Sequence, residues 1–220
     1  MASPNITLYG YHFSSTSYRA RILLNLKSLP YDIVQIRLDQ GEQHGAAFRA
    51  INPMGGLPVL EVDGLRLTQS PAISDYIEEK FPTPVLLPSD QPARQRVREI
   101  TALIACDMHP LNNLSVLKYL RAHYQQDDAG VAEWYRHWIR RGFDGLEAIL
   151  RETSGNGDYC VGDSVTMADV FLIPQVANAR RFDIALDDYP TIESVDAHCQ
   201  GLPAFEKAHP AHHAPADKKT

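Results

Sequence analysis

The chain has 220 residues, 44% of them apolar, and a formal net charge of -6 at neutral pH. This length and apolar content suit one large folded unit or two modest ones and exclude disorder, and no apolar run approaches a bilayer span. The negative balance excludes a nucleic-acid surface, which needs a basic face, so an anionic ligand must be drawn by a local site. Three widely spaced cysteines, Cys106, Cys160 and Cys199, make neither a disulfide framework nor a zinc pattern, and no metal site is expected. The N-terminus lacks a basic segment followed by an apolar run, so no secretory signal is expected and the setting read from the sequence is cytoplasmic.

Ile6 to Tyr11 reads as a short strand, and Arg19 to Lys27 as an amphipathic helix with Ile22, Leu23 and Leu26 on one face. After the break at Leu29-Pro30, Tyr31 to Leu38 alternates apolar and polar residues as a strand does. Gly41 to Ala50 reads as a polar loop and short helix. Val59–Val62 and Leu65–Leu67 make a hairpin around Asp63-Gly64, a strong turn signal. Ser70 opens a helix that runs to about Lys80 and ends at Phe81-Pro82.

The proline-rich stretch over 84–88 reads as a semi-rigid linker, and beyond it the patterning is helical throughout. One long helix is expected from Gln91 to about Asp107, interrupted at Pro110 and resuming through Leu114 to Ala122. Another spans Val131 to Glu152. Thr166 and Asp169 form an N-capping arrangement before Val170-Phe171-Leu172, a structural signal with no chemistry of its own. Two shorter helices follow, near Ile192–Cys199 and Ala204–Ala208. The expected organisation is an α/β domain over 4–83, a linker over 84–88, an all-α domain over 89–210 and a mobile polar tail over 211–220 that holds His212 and His213.

The chemistry-bearing residues lie mainly in the first domain. Pro58 stands directly before Val59-Leu60, where it cannot donate to a sheet ladder and so belongs at a strand's first residue or a bend. If the Leu57-Pro58 bond is cis, the Leu57 N–H and C=O face outward, free for a bound peptide. Gln69-Ser70 offers an amide, a hydroxyl and the first N–H groups of a helix, a combination that suits a carboxylate. Ser14-Ser15-Thr16-Ser17 sits between the first strand and the first helix, where helix N–H groups favour an anion, a thiolate included. Hydroxyl runs before helices also serve as plain caps, and this run acquires a functional reading only beside Pro58 and Gln69-Ser70.

Taken in order, Ser14-Ser15-Thr16-Ser17-Tyr18-Arg19-Ala20-Arg21, Asn52-Pro53-Met54, Gln69-Ser70-Pro71-Ala72-Ile73, Asn113-Leu114-Ser115-Val116-Leu117, Val161-Gly162-Asp163 and Pro174-Gln175-Val176-Ala177-Asn178-Ala179 resemble the zeta-class glutathione transferases of the maleylacetoacetate isomerase type. The likeness runs from Tyr9 to about Pro210. It implies the glutathione transferase fold, a thioredoxin-like α/β domain followed by an all-α domain, with glutathione as cofactor and a homodimeric assembly. It further implies that Ser14 hydrogen-bonds the glutathione sulfur, with Ser15 and Thr16 completing the anion nest and Ser14 and Ser15 the catalytic pair. Leu57, held by Pro58, would pair with the cysteinyl unit, Gln69 and Ser70 would hold the γ-glutamyl end, and Gln43 would reach the glycine end. Asn113 would face the site from the helical domain. Three positions depart from the family's pattern: Thr16 stands where it has cysteine, Tyr18 where it has tryptophan, and Phe13 where an arginine is often found.

A bound thiolate can add to the double bond of a cis-enedione, allow rotation about the resulting single bond, and leave as the trans product forms. The substrate expected from the resemblance is the dianionic maleylacetoacetate, with maleylpyruvate as the alternative, since a methylene difference is worth only about 1–3 kcal/mol in a pocket. Conjugation or α-haloacid dehalogenation, which consume glutathione, form a second class. A non-catalytic binding protein, a third, should lack Ser14 or Gln69-Ser70. His109 and Arg181 are the candidates for holding the substrate's acid groups; His109 could equally satisfy a helix carbonyl freed by Pro110. Arg180 reads as a solvated charge, Arg19 and Arg21 as structural partners of acids, and Cys106 and Cys160 as inert core thiols.

Overall fold

The computed structural model describes residues 3–214. They form two compact units, one comprising the chain up to Val85 together with the residues from Leu202 on, the other Leu86–Gly201.

The first unit is built on a four-stranded sheet of β1 (Ile6–Gly10), β2 (Asp32–Gln35), β3 (Val59–Val62) and β4 (Leu65–Thr68), in the order β2-β1-β3-β4. β1 runs parallel to β2 and antiparallel to β3, with Leu8 opposite Leu60, and β3 pairs antiparallel with β4. The hairpin turn places Asp63 and Gly64 at φ 51° and 86°, the left-handed geometry that matches strand twist in a two-residue loop. The helices are α1 (Ser15–Leu26), the short α2 (Ala46–Arg49) and α3 (Ser70–Lys80). Leu8, Leu60, Val62, Ile22, Leu23, Ile73 and Ile77 are all fully buried between sheet and helices.

α1 starts four residues before the expected Arg19. The Ser14 hydroxyl accepts the Ser17 N–H and caps the helix, and a hydroxyl run carries no apolar periodicity to announce this. Nor is α1 amphipathic: Ser15, Ser17, Tyr18, Arg19, Ala20 and Arg21 are buried along with Ile22, Leu23 and Leu24. Arg19 donates to the Ser70 hydroxyl at 3.1 Å. Arg21 donates to the Ala208 carbonyl at 2.9 Å and the His12 carbonyl at 3.1 Å, while Asn25 donates to the Ala204 carbonyl at 3.0 Å.

Those bonds fasten α10 (Pro203–Ala208) onto α1, so residues from 202 on complete the first unit, whereas the sequence placed everything to 210 in the helical domain. Of the expected tail, residues 211–214 are described. Pro210–His213 is a 3-10 turn in which the His213 carbonyl accepts from Gln35 at 3.0 Å and the His213 ring bonds the Lys207 carbonyl at 2.9 Å. Positions 215–220 lie outside the described residues.

The second unit is helical. α4 (Gln91–Ala102) is capped by Asp90, which accepts the Ala93 N–H at 3.0 Å. It runs on as a wide π-helical segment, Leu103–Met108, into α5 (His109–Asn112), so the helix is widened before Pro110 and broken only at Asn113, three residues later than expected. A Cβ on Gly142 would lie 2.5 Å from the Met108 side chain, so the absence of a side chain there lets the wide turn rest on backbone. α6 (Leu114–Tyr124), α7 (Asp128–Thr153), α8 (Met167–Arg181) and α9 (Pro190–Gln200) complete the unit. Ile100, Ile104, Ile139, Phe143, Leu146, Phe171 and Leu172 make its fully buried core.

At the start of α8 the Asp169 carboxylate is buried and accepts the Thr166 N–H at 2.7 Å, the Thr166 hydroxyl at 2.9 Å and the Cys160 N–H at 2.8 Å. Arg180 is not a free solvated charge: it is ion-paired with buried Asp196. Cys106 is exposed on the π segment and no core thiol, whereas Cys160 and Cys199 are buried and burial pushes both thiols up.

Asp169→Ala strips three donors of their shared acceptor in the core and is expected to cost about 3 kcal/mol. Urea unfolding followed by circular dichroism should show a lower midpoint at unchanged slope. Burial lowers the pKa of His209 and of His213, with His212, Arg21 and Lys207 opposing protonation and only the Lys207 carbonyl favouring it at His213. A base with a depressed folded-state pKa contributes stability above its unfolded value and loses it as pH falls. Hydrogen exchange at residues 203–214 should therefore accelerate below about pH 6.5, relative to the sheet core.

Candidate active site

The first unit gathers most of the expected site residues where β1 hands over to α1. Ser14 donates its N–H to the Tyr11 carbonyl at 3.0 Å, and Tyr11 donates its own N–H to the Ser17 hydroxyl at 3.2 Å. Two bonds thus close a tight loop that delivers Ser14 to the N-terminus of α1, with Ser15 buried at the helix's first position. The Ser14 and Thr16 hydroxyl oxygens are 2.9 Å apart, and Thr16 donates to the Leu57 carbonyl at 2.9 Å. The Leu57-Pro58 peptide is cis, and Pro58 leads directly into β3. Leu57 is therefore only partly as expected: its carbonyl already takes one bond, while its N–H has no partner among the described residues.

Gln43 lies on the 3-10 turn Glu42–His44, buried to 5% exposure, with its Nε2 3.1 Å from His44 Nε2 and its Oε1 without a hydrogen-bond partner among the described residues. A neighbouring turn closes over it through Gly55, at φ 66°, where a Cβ would stand 2.8 Å from the Gln43 carbonyl oxygen. Only glycine accommodates both the left-handed backbone and that approach.

Gln69 precedes α3 with φ 68°, a conformation that ordinary residues adopt only under constraint, and its side chain is exposed. Ser70, 6% exposed, accepts a hydrogen bond at its hydroxyl from Arg19 at 3.1 Å. Burial pulls the Arg19 pKa down to about 9, which leaves it cationic at neutral pH. Because a guanidinium only donates, Ser70 keeps its own proton for an external acceptor. Sequence reasoning left Arg19 out of the site, and no local pattern points to it, since Ser70 lies 51 positions away. Phe13, 52% exposed, stands immediately before Ser14 and packs at a tilt against His12 with ring centroids 4.2 Å apart.

The remaining expected residues belong to the second unit. His109 is half-buried at the start of α5, directly after the π segment. Asn113 caps α6, its side-chain oxygen accepting the Ser115 N–H at 2.9 Å and the Ser115 hydroxyl at 2.8 Å, so that oxygen is committed to structure. Arg181, in the last turn of α8, donates to the Asn178 side-chain oxygen at 3.2 Å and hydrogen-bonds the Tyr135 hydroxyl. Burial pushes that phenol up to about 12, with Arg181 opposing the shift, and the Tyr135 ring lies flat on Phe182 at a centroid distance of 3.6 Å. Asn178, one turn back in α8, and Tyr135, 46 positions away, therefore hold the Arg181 guanidinium, and only the first of these partners lies within reach of a local pattern.

The first unit thus offers a helix N-terminus with linked hydroxyls, an unpaired backbone donor, an orphaned amide oxygen and a serine backed by a buried cation. Such a set suits an extended ligand that carries an ionisable group at one point and a carboxylate at another. Among the described residues no cluster of His, Cys, Asp and Glu is placed to hold a metal ion, and no helix is long and apolar enough to cross a membrane.

The chain is similar to known proteins over nearly its whole length. A maleylpyruvate isomerase from a Ralstonia species is 46% identical over 204 residues, covering 93% of this chain and 96% of that protein. The holo structure of a maleylpyruvate isomerase described as a bacterial zeta-class glutathione S-transferase superposes with a TM-score of 0.93 at 45% identity, covering 96% of this chain and 99% of that one. A maleylacetoacetate isomerase from Anaeromyxobacter dehalogenans with glutathione in its active site gives 0.87 at 40% identity, over 98% of this chain and all of that one. The family model of the glutathione S-transferase N-terminal domain matches residues 8–85 and that of the C-terminal domain residues 115–207; the chain belongs to the glutathione S-transferase family.

Proposed function

We propose that the protein is a glutathione-dependent cis–trans isomerase that converts maleylacetoacetate to fumarylacetoacetate, with maleylpyruvate as the alternative substrate. The observation that carries this reading is the Ser14 hydroxyl at the N-terminus of α1, bonded to Thr16 and accepting the Ser17 N–H. Isomerase names among the relatives support it.

The residues fit glutathione. The orphaned Gln43 oxygen, the unpaired Leu57 N–H and the Arg19-backed Ser70 hydroxyl are polar groups still awaiting partners that a tripeptide supplies. When bound, glutathione supplies a sulfur nucleophile that adds reversibly to an activated double bond and leaves unchanged once that bond has rotated. Ser14 donates to the sulfur, and the first N–H groups of α1, with Ser15 and Thr16 beside them, favour its negative charge. Leu57, turned outward at Pro58, pairs with the peptide backbone. Gln69 and Ser70 hold the γ-glutamyl carboxylate and Gln43 the glycine end. Asn113 has only its side-chain N–H groups left for such a contact. His109 and Arg181 hold the substrate's acid groups, Arg181 as a guanidinium preset by Asn178 and Tyr135. The homodimer belongs to this reading as the family resemblance implies it, and the cytoplasmic setting as the sequence reading expects it.

Purified protein with catalytic glutathione should isomerise maleylacetoacetate or maleylpyruvate with total thiol unchanged, and the ratio of the two rates chooses the substrate. Stoichiometric loss of thiol would instead mark a conjugating or dehalogenating transferase. Ser14→Ala removes one donor to developing charge and is expected to lower kcat/KM by about 10²–10³. Arg19→Met keeps much of the side-chain volume but removes the donor behind Ser70. Calorimetric titration should show glutathione affinity falling about tenfold, as for a lost hydrogen bond to a charged group, with the far-ultraviolet spectrum unchanged.

A further inference from the structure

We propose that Thr16 is a positioning residue: its hydroxyl, anchored on the Leu57 carbonyl, sets the direction of the Ser14 proton and thereby the ease with which a sulfur at Ser14 ionises. The inference rests on the proposed function, in which this site holds glutathione.

Proton counting at three oxygens carries the argument. The Leu57 carbonyl can only accept, and a threonine hydroxyl has one proton. Thr16 Oγ1 lies 2.9 Å from the Leu57 oxygen and 2.9 Å from Ser14 Oγ. With the Thr16 proton on the Leu57 side, the bond between the two hydroxyls must use the Ser14 proton. Ser14 Oγ also accepts the Ser17 N–H at 3.2 Å. In this order Ser14 turns a lone pair outward, which suits a neutral thiol donating to it.

A thiolate needs the opposite order. Both hydroxyls then rotate: Thr16 donates to Ser14, and Ser14 donates to sulfur, while the thiol proton leaves to solvent. No proton passes between protein groups. The rotation frees the Leu57 carbonyl from Thr16, and a ligand backbone N–H can take that place. Recognition of the peptide at Leu57 and ionisation of the sulfur at Ser14 therefore favour the same hydroxyl order. Because hydrogen bonds in a chain polarise one another, Thr16 donating into Ser14 also strengthens the Ser14 bond to sulfur. Thr16 reaches the sulfur only through Ser14, so its contribution appears in the thiol's titration rather than in a direct contact.

The test compares the unaltered protein with Thr16→Val, which keeps the shape and loses the hydroxyl, and Thr16→Ser, which restores it. Glutathione affinity is measured by calorimetry, and the ionisation of bound glutathione by thiolate ultraviolet absorbance against pH. Thr16→Val is expected to raise the pKa of the bound thiol by about one unit, a tenfold loss of thiolate at a pH below both values. Thr16→Ser should restore the original titration. Thr16→Ala carries the same expectation as the valine variant should valine disturb folding. A role limited to packing would change affinity or stability and leave the titration in place. Bound glutathione with an unchanged or lowered thiol pKa in the valine and alanine variants would overturn the inference and leave the proposed function standing. Failure of the unaltered protein to bind glutathione would overturn the proposed function and this inference with it.

Discussion

The structure depends on a single local demand, that the chain leave β1, turn within a few residues and present a hydroxyl at the positive end of α1. The Ser14 N–H to Tyr11 carbonyl bond closes the turn, the Ser14 hydroxyl caps the helix, and Thr16 ties the helix start to the Leu57 carbonyl. Shifting α1 by one residue would remove Ser14 from the cap, turn Thr16 away from Leu57 and separate Arg19 from Ser70. The capping of α1 and the chemistry proposed for this site use the same oxygen.

α1 shows what that demand entails. It is buried on nearly all sides and carries two arginines inside. Burial pulls Arg19 down to about 9 and Arg21 to about 10, yet both stay charged at neutral pH. Desolvating a cation is costly, and hydrogen bonds to fixed oxygens offset that cost. Arg21 holds the Ala208 and His12 carbonyls and so joins the C-terminal α10 to the loop that leads into the site. Arg19 holds Ser70. Each arginine converts the burial of α1 into the placement of another segment of the first unit.

What the sequence disclosed follows the range of the interactions involved. The Asp63-Gly64 hairpin, the start of α3 at Ser70 and the Thr166–Asp169 cap rest on residues a few positions apart, so their side chains announced them. The hydroxyl run Ser14, Ser15 and Thr16 at the helix start and the break at Leu57-Pro58 before β3 were legible for the same reason, helped by a family likeness. Other features were not legible, because they depend on partners far along the chain. The π segment lies against Gly142, the C-terminal turn is held by Gln35 and Arg21, Arg180 finds Asp196, and Arg19 finds Ser70 51 positions away. Cys106 read as a core thiol because its neighbours in sequence are apolar, but the wide helical turn carries it to the surface.

The central claim is that this protein holds a glutathione sulfur in its ionised form at Ser14. The measurement that tests it most directly is a pH titration of glutathione bound to the unaltered protein, read by the ultraviolet absorbance of the thiolate. The account requires the bound sulfur to titrate well below the ordinary thiol value of about 8.5 and to be largely thiolate at neutral pH. A bound glutathione that titrates at or above the value of the free peptide would contradict it.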